Sequence, residues 1–288
     1  MGTAERISDE QTEHDFTDDE SYYGYRTVIE YDENGKSLFR ELPLTLDDFL
    51  EPEEGDVYMQ GNLHEEDVDR LKSIFRFYLR DRKNITVYCD MKIIWGIEGL
   101  NNPAPDISVL ENVRNPKEPR NSFYVPEEGT KPFFVLEVVS PRYRDADTDK
   151  KPDIYRRAGV SEYVIADPGL EGGRISYTVS GYRLIGSRYV RMKPDKHGRI
   201  RSLTADVLIG PADSGARLAV YDAVTGYEIL SDEERADQEK IRAEHAENRA
   251  EHAENRAEQE KARAEQEKAR AERLAAKLRE LGISPETL

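Results

Sequence analysis

Two carboxylates stand where the chain around them is apolar or held extended. Asp106 lies in Pro103-Ala-Pro-Asp-Ile-Ser-Val-Leu110, at the start of a strand-like run and behind a proline that disfavours helix. Glu137 is the one charge within Phe133-Phe-Val-Leu-Glu-Val-Val139. A carboxylate in such a strand is costly unless it is paired or binds metal. Period two places Val135, Glu137 and Val139 on one face. On neighbouring strands the two carboxylates would offer hard oxygen ligands of the kind that Mg²⁺ takes. Each also has a structural reading: Asp after Pro is a common turn or cap residue, and a strand Glu often faces solvent or pairs with Arg.

The other candidates are weaker. His64 falls at the start of a helical pattern, and Asp90 and Asp167 fall at strand ends, where turn roles are ordinary. Arg142, Arg144, Lys150, Lys151, Arg156 and Arg157 form a basic run after Glu137; a solvated face explains it, and so would contacts to phosphate. Cys89 is the only cysteine, so no internal disulfide forms, and the five histidines are too scattered for a Cys/His zinc site. The sequence has no G-x-x-x-x-G-K-[ST] loop, G-x-S-x-G elbow, H-E-x-x-H pair or EF-hand loop. Carboxylate chemistry remains.

The elements that must position these residues follow from pattern. Tyr25–Tyr31 and Lys36–Arg40 flank Asp32-Glu-Asn-Gly35, a hairpin signal. Thr45 is placed to cap a short helix. From His64 to Arg82, Val68, Leu71, Ile74, Phe75, Tyr78 and Leu79 recur at three and four, which predicts an amphipathic helix. Strands are expected over Ile85–Met91, Ile107–Leu110, Phe133–Val139 and Tyr163–Asp167, with a short helix over Lys150–Ala158 that Pro152 must open and Gly159 close. Residues 174–230 read as further sheet with turns at Gly181, Gly186, Gly198 and Gly226. The fold class is therefore α/β, a mixed sheet core with flanking helices.

Charge is uneven. The net charge is −14 over residues 1–60, +1 over 61–230 and −4 over 231–288, so the acidity says little about the middle. Residues 1–24 are an acidic segment expected to be disordered, and 25–230 the globular domain. Residues 231–282 carry a heptad repeat with alanine at 243, 250, 257, 264 and 271. An alanine seam buries little, so a solvated helix and a weak coiled coil both fit; Gly282 and Pro285 would end it, leaving 283–288 as a tail. The helix is the natural seat of a homo-oligomer or helical partner. With an acidic N-terminus and no apolar run near 18 residues, a cytoplasmic protein without membrane contact is expected.

Pro105-Asp106, Val135-Leu-Glu137-Val-Val-Ser-Pro141, Asp147-x-x-x-Lys151-x-x-x-Tyr155 and Ala158-Gly-Val-Ser-Glu-Tyr-Val-Ile-Ala-Asp-Pro168, in that order, resemble the Uma-type restriction endonucleases of the PD-(D/E)xK nuclease superfamily. Pro43-Leu-Thr-Leu-Asp-Asp-Phe-Leu50, Glu54-Gly-Asp56, His64 and Cys89-Asp-Met-Lys-Ile-Ile-Trp-Gly96 extend the resemblance, which covers roughly residues 25–230. It implies a metal-dependent endonuclease that hydrolyses phosphodiester bonds of nucleic acid, DNA before RNA, with Mg²⁺ or alternatively Mn²⁺. It makes Asp106 the PD aspartate, Glu137 the second metal ligand and the Val138 carbonyl a third. The superfamily's E-x-K lysine is here Val139. The Uma-type branch shares that departure, and its lysine comes from the following helix, where Lys151 matches, to orient or deprotonate the attacking water. Two other classes stay open: an assembly or adaptor protein that keeps the nuclease fold as a scaffold and works through its helix, and a DNA-binding protein that does not cleave.

Overall fold

Turn chemistry decides the first elements. In the computed structural model, which describes residues 23–59 and 61–280, β1 (Gly24–Tyr31) and β2 (Ser37–Pro43) pair antiparallel across a turn closed by Gly35 at φ 78°. Thr45 caps α1 (Leu46–Leu50) in a reciprocal box with Asp48. Then β3 (Asp56–Tyr58) returns beside β1, giving the order β2-β1-β3. The predicted amphipathic helix is α2 (Asn62–Leu79), which buries Val68, Leu71, Ile74, Phe75 and Leu79 along one stripe.

The chain continues through β4 (Ile85–Tyr88), β5 (Lys92–Ile94), β6 (Ile107–Glu111), β7 (Ser122–Tyr124), α3 (Val125–Glu128) and β8 (Pro132–Val138). A π-helical turn, Ala146–Lys150, runs directly into α4 (Lys151–Ala158), whose C-cap Gly159 is left-handed. After it come β9 (Glu162–Glu171), β10 (Arg174–Ile185), β11 (Arg188–Arg191), β12 (Ile200–Ser202), β13 (Val207–Ala212) and β14 (Arg217–Asp222).

The main sheet has the order β11-β10-β9-β8-β6-β4. It is mixed: β8 and β9 are parallel, with Glu137 opposite Ile165, and the other pairs are antiparallel. A parallel pair needs a crossover, and α4 is that crossover. Smaller sheets β12-β13-β14 and β5-β7 complete the α/β fold. Alternation along β8 separates two cores. Phe134, Leu136 and Val138 pack with α2 and with residues of β13 and β14; Val135 and Val139 pack with Ile154 and Tyr155 of α4 and with Trp95. Glu137 shares the second face.

Three expectations need correction. The strand placed over Ile85–Met91 stops at Tyr88, because Asp90 takes φ 51° in a turn. The strand ending at Asp167 runs on to Glu171 through Pro168. Beyond Ala166 it pairs with β10 alone, and a strand edge tolerates a residue without N–H. Gly181 marks no turn but lies inside β10, where an added Cβ would stand 3.1 Å from the Tyr163 carbonyl and from Met192.

The described residues divide after Ser231. By itself, α5 (Asp232–Glu280) is one uninterrupted helix of 49 residues with no buried side chain. The expected acidic disordered start and the helix stop at Gly282 and Pro285 lie outside the described residues, apart from Tyr23 and Gly24. Among the described residues, no helix is long and apolar enough to cross a membrane.

Candidate active site

The antiparallel pairing of β6 and β8 brings the start of one strand to the end of the other. Asp106, just before β6, and Glu137, near the end of β8, are 5% and 1% exposed. They are stitched together by backbone. The Val138 amide donates to Asp106 Oδ2 at 2.6 Å, and the Asp106 amide donates to Glu137 Oε2 at 3.3 Å. From α2, His64 sets Nε2 3.5 Å from Asp106 Oδ1, while its Nδ1 is buried without a hydrogen-bond partner.

Helix α4 supplies the cation. Lys151, 2% exposed, places Nζ 2.9 Å from Glu137 Oε1 and 2.8 Å from Asp147 Oδ1. One turn later, Tyr155 donates its hydroxyl to the same Glu137 oxygen at 2.6 Å. The ring of Phe49 from α1 lies 4.8 Å from Nζ, within cation–π range. These groups open on a cavity of about 560 Å³ whose lining includes His64, Asp90, Asp106, Glu137, Asp147 and Lys151.

Burial and crowding set the charges. Burial pushes Glu137 and Asp147 above the usual carboxylate range; the neighbouring Asp106 adds to this, and Lys151 works against it. Burial would lower Lys151, but Asp147, Glu137 and Asp106 outweigh it and hold the ammonium protonated. Burial, with Asp106 beside it, pushes Asp90 up to about 6. Burial pulls His64 down, yet the hydrogen bond and charge of Asp106, the charge of Glu137 and the Val138 backbone raise it to about 9. Buried carboxylates and cations therefore alternate around one opening, and that arrangement is typical of functional sites.

A family model named Uma2, described as "Putative restriction endonuclease", matches residues 38–211. The chain belongs to the Uma2 family. The match spans every residue of the cluster just described, and the family is of nuclease, restriction-endonuclease type. A solved structure, described as "a putative nuclease belonging to DUF820 from Anabaena variabilis ATCC 29413", is similar over 60% of this Uma2 chain and 92% of its own, at 20% identity and TM-score 0.38. No curated protein matches the chain.

Of the residues singled out in this Uma2 sequence, Asp106, Glu137, Val138 and Lys151 meet at the cavity. His64 and Asp90, read as a helix-start and a turn residue, line it too. Asp167 does not: Arg144 engages it. The basic run is no single solvated face, since Lys151 is buried and Arg156 pairs with Asp153 at 2.6 Å; Lys150 and Arg157 are exposed. Cys89 is a half-buried free thiol that burial pushes up to about 12, and so is unreactive. Sequence reasoning missed Phe49, whose contact with Lys151 crosses a hundred residues of chain and leaves no local signal. Asp147 shows in the sequence only as the acid four places before Lys151.

Proposed function

We propose that this site hydrolyses phosphodiester bonds of nucleic acid, DNA before RNA, with Mg²⁺ or Mn²⁺ as its metal. The observation that carries the reading is the convergence of Asp106, Glu137 and Lys151, from two strands and a helix, on one cavity. The donor chemistry fits a hard divalent ion. Asp106 spends Oδ2 on the Val138 amide and keeps Oδ1 opposite His64. Glu137 spends Oε1 on Lys151 and Tyr155, so Oε2 has only the longer contact with the Asp106 amide. Among the described residues, no three His, Cys, Asp or Glu side chains form a closed metal cage, and Mg²⁺ needs none, since it takes one or two carboxylates and fills its shell with water and substrate phosphate.

Asp106, Glu137 and the Val138 carbonyl would hold the ion, which supplies a Lewis acid for a phosphoryl oxygen when bound. Lys151 stays protonated between two carboxylates and so works as a hydrogen-bond donor and fixed positive charge, not as a base. It offsets the negative charge that grows on the phosphoryl group as the bond breaks. Tyr155 fixes the Glu137 carboxylate, and burial of the whole set keeps competing water away from these contacts. Lys150 and Arg157, exposed near α4, are the chain's nearby groups for neighbouring phosphates.

The test is to incubate the purified chain with supercoiled, linear and single-stranded DNA and with RNA, with and without Mg²⁺ or Mn²⁺. Strand breaks that require the metal are expected. No break in any polymer would favour a second reading, an assembly protein that binds a copy or a helical partner through α5, in which no side chain is fully buried.

A further inference from the structure

Lys151 comes from a helix rather than from the strand that carries Glu137, so something must fix its reach. A four-carbon stem leaves the ammonium many rotamers, and ordering it costs conformational entropy. Two features oppose that freedom. The turn before α4 is π-helical: the Lys151 amide donates to the Ala146 carbonyl, one residue further back than in an α-helix. Isolated π turns occur frequently at functional sites. This turn is pinned from β9, because Tyr163 donates its hydroxyl to the Asp147 carbonyl at 2.8 Å. The second feature is the Asp147 side chain, 3% exposed, which meets Nζ at 2.8 Å.

We infer that Asp147 is the positioning residue for Lys151, with the π turn as its mount. The inference rests on the nuclease reading for its kinetic consequence, but not for its geometry. Glu137 Oε1 and Asp147 Oδ1 stand 2.9 and 2.8 Å from Nζ, so two buried carboxylates hold the ammonium beside the cavity that Lys151 lines. Asp147 lines the same cavity, and it acts through Lys151, by removing the rotamers in which Nζ leaves Glu137. A lysine at 139 would need no such anchor, because the strand would fix its direction.

The test uses the full chain in two arms. In the first, amine acylation followed by mass mapping reads the lysine without any substrate. Lys151 should be protected in the wild type, exposed to reagent at least tenfold faster in Asp147→Leu, and protected again in Asp147→Asn, which keeps the acceptor oxygen. In the second, cleavage kinetics should show kcat falling roughly 10–100-fold in Asp147→Leu, the usual cost of losing a supporting partner, with KM little changed and a smaller loss in Asp147→Asn. If Asp147→Leu fails to fold, Asp147→Leu in a Lys151→Met background removes both charges, and there the Leu substitution should add nothing further. Unchanged protection and unchanged kcat in Asp147→Leu, or a further kcat loss in the Lys151→Met background, overturn the inference while the nuclease reading stands. The expected protection pattern in a protein that cleaves nothing overturns the nuclease reading instead.

Discussion

The Lys151 ammonium lies 2.9 Å from Glu137 Oε1 although the two residues come from different elements. The same oxygen accepts the Tyr155 hydroxyl at 2.6 Å, so α4 presents two donors, one turn apart, to a single carboxylate oxygen. That contact turns a strand Glu that is costly to bury into a member of a site.

If the Glu137 and Asp106 carboxylates hold a divalent ion, the ion binds the native fold and not the unfolded chain. Mg²⁺ or Mn²⁺ at about a hundred times its Kd then stabilises by about 2.7 kcal/mol, a rise in Tm of roughly 5–10 °C. Glu137→Gln removes the shift and leaves a cooperative transition. Scanning calorimetry over a metal titration checks this; a full shift in Glu137→Gln would mean that the metal binds elsewhere.

Lys151→Met should lower turnover by roughly 10²–10⁴, the range for one positioned acid–base or electrostatic group. Metal affinity should not fall, because lysine is no ligand and its removal frees Glu137 Oε1. Lys150→Ala should leave kcat close to unchanged and weaken only the hold on the polymer, since Lys150 is exposed and belongs to the phosphate-binding groups. Steady-state cleavage rates of both variants, with metal affinity measured alongside, separate the two lysines.

How much of this was legible depended on distance along the chain. Val135, Glu137 and Val139 share a face by strand period alone, and Val135 and Val139 do lie in one core. Pairing Glu137 with Asp106 required only that their strands be neighbours. Lys151 reaches Glu137 from a helix 14 residues on, and no periodicity encodes that reach; the family resemblance carried it. The π turn has no compositional mark. His64 looks like any helix-start residue until the fold sets it against Asp106, and Gly181 looks like a turn until Met192 and the Tyr163 carbonyl are seen to crowd the place of a Cβ.

A pH prediction comes from Glu162, away from the cluster. Burial raises its carboxyl, but hydrogen bonds from the Ser202 and Thr204 hydroxyls, Arg183 and the Leu203 amide outweigh it and hold the group below its ordinary value. A group lowered in the folded state adds stability above its unfolded pKa, and that stability is lost as pH falls through the folded value. Glu162→Gln should therefore cost roughly 2 kcal/mol near neutral pH. The gap between wild type and variant should stay constant down to about pH 4.5 and narrow below it. Urea titrations between pH 3 and 7 measure the gap; one that widens with acid contradicts this assignment.

The most direct measurement is single-turnover cleavage of supercoiled plasmid by wild type and by Glu137→Gln, each with Mg²⁺ or Mn²⁺ and each in chelator. The account predicts nicked or linear product from the wild type with metal, none in chelator, and a loss of at least a hundredfold in Glu137→Gln. Cleavage that persists in chelator, or that Glu137→Gln performs at the wild-type rate, would contradict it.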